Sequence, residues 1–449
     1  MEKMIVRDEN KNEYILEKVA GTGGQGAVFF VENDSKIVIK AITNSNGSIV
    51  QNKNLYKSYR DTVIKVISKA NYNNLASPIC MLENPYCGYV MRFMEGMEKI
   101  ENSMMPGKEK LAEFYSKTGG IKKRYYVLRG IARVLNNLYI NGLVYADISP
   151  KNIYISKKVE DYEAWLIDVD NLHYQGDENM CIGTPMYRAP EVFVGGCNTL
   201  KSDVYSFALL AFELLTLSKP FEGDYEDDAE EDDWGVGEQN SDNFYTKLER
   251  GDIPFVGSEK DKRNKQISGI PMDYVLTPEV KALFIKTFED GRKNPEKRPS
   301  MSAWLDELNK TCDSIVKNSC GHYNLSGGCF LCGKEDNKMV VDCYKINYYF
   351  QEDESVVQEK EKVCTIRIDD QSKHEIRLPN YLFVEEPIDK ETNYFVSLIK
   401  NKQKWEISSS LKNIKIRLNR KEVTSLDKLI LYVEKDGVIT RQIEFSKEK

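Results

Sequence analysis

The stretch NGLVYADISPKNIYI, residues 141–155, constrains the fold more strongly than any other part of the chain. Two short apolar runs flank a polar loop, so the sequence predicts a strand, a tight loop and a second strand. The loop carries Asp147 and Asn152, which lie five positions apart. A carboxylate can accept a proton, and an amide oxygen is a ligand that Mg²⁺ accepts. We therefore interpret the loop as a candidate catalytic loop.

A glycine-rich turn lies near the start of the chain. The segments 14–19, 27–32 and 36–42 alternate apolar and polar residues and predict three strands joined by turns. The first turn, GTGGQGAV, joins strand to strand, so it is not the dinucleotide fingerprint, which is followed by a helix. Because glycine lacks a Cβ, backbone N–H groups can approach phosphate oxygens closely here. The candidate phosphate-binding residues of this turn are Gly21, Gly23, Gly26 and Val28.

Two strand ends add a cation and a second carboxylate. Lys40 ends the apolar strand IVIK, and Asp168 ends the strand LID, 16 residues after Asn152. Behind a glycine-rich hairpin, such a lysine can reach the phosphates of a nucleotide. Two carboxylates and an amide are oxygen ligands suited to a Mg²⁺ ion that bridges phosphates. Each feature alone is typical of ordinary turns and strand ends, but the four in this order predict a phosphate-handling site.

Three later segments indicate the family. They are GTPMYRAPE at 183–191, KSDVYSFA at 201–208 and NPEKRPS at 294–300. With them, residues 10–310 resemble a eukaryotic-type Ser/Thr protein kinase domain. The resemblance implies an α+β, bilobal protein-kinase-like fold with an N-lobe at 1–90 and a C-lobe at 91–310. It also implies ATP and Mg²⁺ as cofactors and protein substrates with Ser or Thr hydroxyls.

The resemblance assigns roles to the residues already found. Asp147 would orient the substrate hydroxyl and accept its proton. Asn152 and Asp168 would hold Mg²⁺, and Lys40 would clamp the phosphates. Thr184 resembles the Ser/Thr-kinase residue that forms a hydrogen bond with the catalytic aspartate.

The resemblance also places the adenine pocket and two structural contacts. Met91 takes the gatekeeper position, and the backbone of Arg92 and Met94 would pair with the adenine edge. The implied structural contacts are an ion pair between Glu191 and Arg298 and a cap by Asp203 on the backbone of residues 145–147.

Some positions of the catalytic segments depart from the family's pattern. Ala146 replaces the Arg that grips a phosphorylated activation loop, so we expect activity that needs no activation-loop phosphate. Ser149 replaces a loop Lys, and loss of this cation is expected to slow transfer unless Lys151 reaches the site. Val169-Asp170 replace Phe-Gly, a change expected to affect packing rather than metal ligation.

The helix acid that normally pairs with the strand lysine is also missing. Asp61 is the only acidic residue between Lys40 and Glu83, and it is either that partner or a plain surface residue. An active Ser/Thr protein kinase is therefore the first hypothesis, and a pseudokinase scaffold that binds nucleotide without turnover is the alternative. A small-molecule kinase is disfavoured, because such enzymes generally lack the segment matched at 183–191.

A Cys/His cluster follows the kinase-like region. The segment CGHYNLSGGCFLC at 320–332 has the spacing C-x-H-x₆-C-x₂-C, which is typical of a tetrahedral zinc site. So short a loop has no core of its own, and metal binding can fold it. We predict a zinc knuckle at 311–337; four uncoordinated side chains are the alternative, with Cys312 as a reserve ligand. The predicted ligands are Cys320, His322, Cys329 and Cys332.

Residues 338–449 alternate apolar and polar side chains and predict a small antiparallel β domain. They bear a faint resemblance to forkhead-associated phosphopeptide-binding domains, and a protein-docking β module is the preferred interpretation. Together with the Cys/His segment, the end of the kinase-like region is similar to bacterial signalling kinases of tellurite-resistance-type kinase–phosphatase modules. That resemblance implies a cognate phosphatase as a partner.

Charge and hydropathy limit the remaining function classes. The 449 residues carry a net charge of −7, which argues against a nucleic-acid or anionic-membrane surface. Residues 1–14 contain no apolar signal-peptide core, and the run 204–217 is too short to span a membrane, so we expect a cytoplasmic chain. The segment 222–242 has 11 acidic residues in 21 and predicts a solvated loop; a docking strip for a basic partner is the minority interpretation.

Overall fold

The computed structural model describes most of the chain. The residues outside the description are 1–3, 24–25, 33, 68–72, 178–180, 226–239, 326–327, 336–338, 351–355, 369–374, 384–393, 402–403, 410, 412–413, 420–425 and 448–449. Most of the acidic segment therefore lies outside the described residues.

The chain divides into two compact units. The first contains Met1–Gly119, Lys123–Met272 and Pro278–Leu305, and the second contains Gly120–Lys122, Asp273–Thr277 and Asp306–Lys449.

The first unit begins with a six-stranded antiparallel sheet in the order β1-β2-β3-β4-β6-β5. Alternate side chains of β3 are buried, which is the two-residue period expected of a strand with one face on a core. The three strands predicted between residues 14 and 42 are confirmed. The strands are β1 (Met4–Arg7), β2 (Glu13–Gly23), β3 (Gly26–Val31), β4 (Ile37–Ala41), β5 (Cys80–Met81) and β6 (Gly88–Arg92).

One helix, α1 (Lys53–Ile67), lies in the chain between β4 and β5. Its residues Tyr56 and Val63 are buried in a cluster with Met81, Cys87 and Tyr89. The spacing of seven between the two helix residues places them on one face, so this face of α1 packs on the sheet. Tyr59 is partly buried beside this cluster.

The rest of the first unit is mainly helical. The run predicted as a buried helix forms α5, in which all residues from Ser202 to Thr216 are buried. Thr199 caps this helix through a reciprocal capping box with Ser202. The helices that follow α1 in the chain are α2 (Leu111–Lys117), α3 (Gly120–Ile140), α4 (Pro190–Phe193), α5 (Leu200–Thr216), α6 (Asn240–Glu249), α7 (Met272–Val275), α8 (Pro278–Ile285) and α9 (Met301–Ser314). The first three residues of α3 and most of α7 and α9 belong to the second unit.

Short strands frame the candidate catalytic loop. They form a three-stranded sheet in the order β10-β9-β7 and a two-stranded pair of β11 with β8. The loop runs from the end of β8 to the start of β9, as the flanking apolar runs predict. These strands are β7 (Met97–Lys99), β8 (Leu143–Val144), β9 (Ile153–Ser156), β10 (Ala164–Leu166) and β11 (His173–Tyr174).

The second unit contains two larger antiparallel sheets. One has the order β15-β14-β21-β20-β19 and the other β16-β17-β18, and a single apolar cluster from Met339 to Phe445 contains buried residues of both. The strands are β12 (Val316–Lys317), β13 (Tyr323–Asn324), β14 (Met339–Phe350), β15 (Val356–Ile368), β16 (Glu375–Pro379), β17 (Tyr394–Asn401), β18 (Lys404–Ser409), β19 (Lys415–Leu418), β20 (Ile430–Lys435) and β21 (Val438–Lys447).

Among the described residues, no helix combines the length and the apolarity that crossing a membrane requires.

Candidate functional site

A cavity of about 700 Å³ lies within the first unit. One wall comes from strands β3, β4 and β6 of the large sheet, and the other comes from the loops around β9 and β10. Most of the candidate residues line it. Those on the cavity are Gly26, Val28, Lys40, Met91, Met94, Asp147, Asn152 and Asp168, and Arg92 also lines it.

The glycine-rich turn forms one edge of this cavity. Gly21 and Gly23 lie on β2, where they pair with Val28 and Gly26 of β3; the tip at 24–25 lies outside the described residues. Gly26 has φ +141°, and a Cβ there would lie 2.2 Å from the carbonyl oxygen of Ala41. Only glycine therefore permits this close approach of β3 to the end of β4.

Lys40 extends from β4 into the cavity and forms two ion pairs. Its Nζ lies 2.5 Å from Oδ1 of Asp168 and 2.7 Å from Oδ2 of Asp170. Burial lowers the pKa of Lys40, but Asp170 and then Asp168 outweigh that effect and raise the pKa above its ordinary value. Lys40 therefore stays protonated and keeps its positive charge at neutral pH.

Asp168 lies at the junction of β10 and the turn Val169–Asn171. Its backbone adopts the left-handed conformation, with φ 61° and ψ 61°, which is uncommon for a residue other than glycine. This conformation turns the chain sharply after β10, so that the side chains of both Asp168 and Asp170 reach Lys40.

The carboxylate of Asp147 is held at both oxygens. Oδ1 accepts from the hydroxyl of Thr184 at 2.7 Å and from its backbone N–H at 3.0 Å. Oδ2 accepts from Nδ2 of Asn152 at 2.8 Å. The contact between Thr184 and Asp147 that the family resemblance implies is therefore present, and the side-chain orientation of Asp147 is fixed.

A buried aspartate holds the backbone of the candidate catalytic loop. Asp203 of α5 accepts from the backbone N–H of Tyr145 at 2.6 Å and of Ala146 at 2.9 Å, so the expected cap is confirmed. Burial raises the pKa of Asp203 to about 7, although the two backbone donors act in the opposite direction. Ala146 is held at φ 72°, and the hydroxyl of Tyr145 donates to the carbonyl of Ile167.

The ion pair expected between Glu191 and Arg298 is also confirmed. The guanidinium of Arg298 donates to both carboxylate oxygens of Glu191, at 2.6 and 2.8 Å. It also donates to the carbonyls of Gly291, Lys201 and Arg292. A planar guanidinium is suited to this two-point pairing, which ties the start of α4 to the segment before α9.

The structure places Ser149, which replaces the loop lysine of the family's pattern, and the nearby Lys151 in different surroundings. Ser149 is fully buried, and its hydroxyl has no hydrogen-bond partner among the described residues. Lys151 lines the cavity that also contains Asp147. A positive charge is thus present at this wall of the site although Ser149 supplies none.

The structure corrects the expectation about Asp170. From the sequence, Val169-Asp170 are expected to affect packing, and Asp61 is either the partner of Lys40 or a plain surface residue. Asp61 is exposed on α1, and among the described residues the ion pairs of Lys40 go to Asp168 and Asp170. Asp170 also accepts from the hydroxyls of Tyr89 and Tyr59, and none of these three residues was selected from the sequence. The extra carboxylate in Asp-Val-Asp, next to a helix without a suitable acid, was the signal that could have identified it.

The four Cys/His candidates come together in the second unit. The ligand atoms of Cys320, His322, Cys329 and Cys332 all lie within 4.8 Å of one another. Sγ of Cys329 is 3.4 Å from Nδ1 of His322. Three sulfur atoms and one imidazole at this separation are a donor set that fits a tetrahedral zinc ion.

Fold and site together define the class of the first unit. It is a domain of mixed helix and strand, with a cation, carboxylates and a glycine-rich turn on one cavity. The model of the protein kinase domain family matches residues 14–308, which is more than half of the chain. The chain belongs to the protein kinase domain family.

Curated relatives are similar at low identity. The Serine/threonine-protein kinase PrkC of Bacillus subtilis is 26% identical over 232 residues, which are 49% of this chain and 33% of PrkC. The Serine/threonine-protein kinase pkn2 of Myxococcus xanthus is 25% identical over 215 residues, 45% of this chain and 24% of pkn2. A G-type lectin S-receptor-like serine/threonine-protein kinase of Arabidopsis thaliana is 26% identical over 46% of this chain and 24% of its own length. The chain thus spans a third or less of each of these relatives.

Proposed function

We propose that the protein is an active, Mg²⁺-dependent Ser/Thr protein kinase that transfers the γ-phosphate of ATP to hydroxyls of protein substrates. The observation that carries the proposal is the fixed carboxylate of Asp147 on the same cavity as Lys40 and Asp168. Membership of the protein kinase domain family and the names of the relatives support this class of reaction.

Asp147 acts on the substrate hydroxyl. Its oxygens are acceptors held by Thr184 and Asn152, so a hydroxyl that enters the cavity meets a carboxylate in a defined orientation. The carboxylate orients the hydroxyl and takes its proton as the oxygen attacks the phosphorus atom. Because the carboxylate is already oriented, the reaction does not cost the conformational entropy that a mobile side chain would lose.

Asn152 and Asp168 are the residues that would hold Mg²⁺. The amide nitrogen of Asn152 donates to Asp147, so its amide oxygen is the atom suited to a hard cation. Asp168 contributes a carboxylate at the same cavity. When bound, Mg²⁺ supplies positive charge that offsets the charge developing on the phosphates.

The remaining cleft residues bind the nucleotide. Lys40 offers a protonated amine to the phosphates, and the glycine-rich turn offers backbone N–H groups, with Val28 beside it. Met91 and Met94 line the apolar part of the cavity, where the adenine ring would lie against the backbone of Arg92 and Met94. Lys151 provides the cation that Ser149 lacks.

Activity without an activation-loop phosphate is part of the proposal. Ala146 carries no guanidinium to grip a phosphate, yet its backbone is already fixed by Asp203. The candidate catalytic loop is thus held by an internal carboxylate, and Ala146 offers no charged partner to a phosphate on the activation loop.

Outside the cleft, we propose a zinc knuckle at 311–337 and a protein-docking β domain at 338–449, next to kinase lobes at 1–90 and 91–310. The cluster of Cys320, His322, Cys329 and Cys332 supports the zinc site. The narrower similarity to kinases of tellurite-resistance-type modules, the cognate phosphatase and the cytoplasmic location stay predictions.

Phosphate transfer from radiolabelled ATP tests the proposed function. Wild type and Asp147→Asn are compared for autophosphorylation and for labelling of a generic basic protein, with and without Mg²⁺. We expect labelled phosphoserine or phosphothreonine with wild type and Mg²⁺ only. Equal background labelling in both proteins would show a pseudokinase scaffold, and label on metabolites but never on protein would show a small-molecule kinase.

A further inference from the structure

The carboxylate of Asp170 is largely buried, although it lies only two positions after Asp168, a proposed Mg²⁺ ligand. Its side chain is only 9% exposed, and Lys40, 12% exposed, is its ion-pair partner. A buried carboxylate is destabilised unless cations or hydrogen-bond donors surround it.

Among the described residues, three donors contact Asp170, and they divide between its two oxygens. Oδ2 lies 2.7 Å from Nζ of Lys40 and accepts from the hydroxyl of Tyr59 at 3.3 Å. Oδ1 accepts from the hydroxyl of Tyr89 at 3.0 Å. Both oxygens are thus fixed, and the carboxylate presents one defined edge to Lys40.

The two tyrosines come from different elements. Tyr59 lies on α1 and Tyr89 on β6, and their rings stack with centroids 6.2 Å apart and an interplanar angle of 22°. Helix α1 is therefore connected to Lys40 by the hydrogen bond from Tyr59 to Asp170 and by the ion pair of Asp170 with Lys40. The carboxylate in this connection belongs to Asp170 and not to the helix. Asp61, the acid on that helix, is exposed.

Asp168 and Asp170 are not equivalent partners of Lys40. Under the proposed function Asp168 is also a ligand for Mg²⁺, so its charge is shared between two cations. Asp170 is less exposed than Asp168, at 9% against 29%, and two phenols hold it in place. Asp170 is thus the carboxylate that remains dedicated to the lysine.

We propose that Asp170 is the positioning residue for Lys40, in place of a carboxylate on helix α1. It holds the amine at the phosphate wall of the cavity, and Tyr59 and Tyr89 hold Asp170. This inference rests on the proposed function for the identity of the ligand, a nucleotide, but not on turnover.

Binding of a fluorescent ADP analogue, with and without Mg²⁺, tests the proposal in the full chain. Asp170→Asn keeps the shape of the side chain and removes its charge. We expect its dissociation constant for the analogue to rise about tenfold, the usual scale for losing a charged hydrogen-bonded partner. Asp61→Asn is the matched control, an exposed acid on α1, and it should bind like wild type. Unchanged affinity in Asp170→Asn, or an equal loss in Asp61→Asn, would overturn the proposal.

A double-mutant cycle separates positioning from a merely structural role. In a Lys40→Met background, Asp170→Asn should change the affinity by less than about twofold, because the residue through which Asp170 acts is gone. Additive losses in the double variant would refute the assignment. Thermal unfolding of each variant shows whether it folds. If Asp170→Asn does not fold, Tyr89→Phe takes its place in the cycle with the same expectation, because it removes one donor from Asp170.

The outcomes for turnover and for positioning are distinguishable. If wild type binds the analogue with this pattern but transfers no phosphate, the kinase activity is wrong and the role of Asp170 stands. If wild type transfers phosphate while Asp170→Asn binds nucleotide normally, the activity stands and the role of Asp170 is wrong.

Discussion

The side chain of Asp147 is held by hydrogen bonds at both of its carboxylate oxygens. Thr184 donates to one oxygen and Asn152 donates to the other. A carboxylate held at both oxygens cannot rotate away from an incoming hydroxyl. Under the proposed function, Thr184 would therefore contribute to the rate of the reaction rather than to the affinity for nucleotide.

Replacement of Thr184 by Val removes the hydroxyl and keeps the shape of the side chain. We expect kcat to fall about tenfold with KM for ATP unchanged, since the variant loses the shortest of the hydrogen bonds that orient Asp147 and no contact to the nucleotide. Thr184→Ser keeps the hydroxyl and should retain most of the activity. Steady-state kinetics of the three proteins check this, and an equal fall in the Ser variant would contradict it.

Glu213 provides a pH-dependent contribution to stability. It is buried on α5, where the hydroxyl of Tyr187 donates to it at 2.6 Å, and burial raises its pKa from 4.5 to about 7. The folded state therefore keeps a proton on Glu213 in the window from about pH 4.5 to 7, while the unfolded chain releases it. Its contribution to the free energy of unfolding is largest below this window and falls as the pH rises through it.

Comparison with Glu213→Gln measures this contribution. Relative to the variant, wild type should lose up to about 3 kcal/mol of unfolding free energy between pH 4.5 and 7.5. Urea unfolding of both proteins across this range gives the difference. Parallel pH profiles for wild type and Glu213→Gln would show that the carboxyl does not titrate in this window.

At the scale of elements, the pair of Arg298 and Glu191 connects segments that are far apart in the chain. The guanidinium is fully buried and also donates to three backbone carbonyls. Removal of its carboxylate partner would leave a buried charge without a counter-ion. Loss of this single pair is thus expected to weaken the attachment of α4.

Glu191→Gln tests this attachment. We expect a loss of about 3 kcal/mol in the free energy of unfolding, the lower end for a broken buried pair, because Glu191 is partly exposed. Lys293→Ala, which breaks an exposed pair with Asp252, should change stability by less than about 1 kcal/mol. Denaturant unfolding of the two variants checks the difference, and similar losses would contradict it.

Elements with a periodic pattern could be predicted from the sequence. The strands around the glycine-rich turn and the buried helix α5 follow from alternation and from an unbroken apolar run. The partner of Lys40 could not be predicted in this way. Asp170 lies 130 positions further along the chain, and a single contact over such a distance leaves no periodic signal. Asp61, on the neighbouring helix, is exposed, which agrees with the alternative that it is a plain surface residue.

At the scale of the whole molecule, each of the two units has a buried apolar core. The Cys/His segment at 320–332 differs from both, because few of its described side chains are apolar and buried. Its ligand spacing was readable from the sequence because zinc sites need closely spaced donors. The pairing of the strands beyond residue 338 was not, since strand order and register depend on contacts between distant segments.

Metal analysis of the purified chain tests the zinc site. Wild type should contain about one zinc per chain, and Cys320→Ser should lose it, because three ligands bind less tightly than four. Cys181→Ser is the matched control, an exposed cysteine outside the cluster, and should keep the metal. Absence of stoichiometric zinc in wild type would show that the four side chains are uncoordinated.

Asp168 and Asp170 flank Val169 in one short turn, and both contact Lys40. If the partner of the lysine lay on a helix, the metal ligand and that partner would belong to two segments that can move independently. Here a small rotation of three consecutive residues would withdraw both anions from the amine at once. Under the proposed function, a change in this one stretch of backbone would therefore remove a Mg²⁺ ligand and the partner of the lysine together, and a compound that stabilised the rotated form would inactivate the protein.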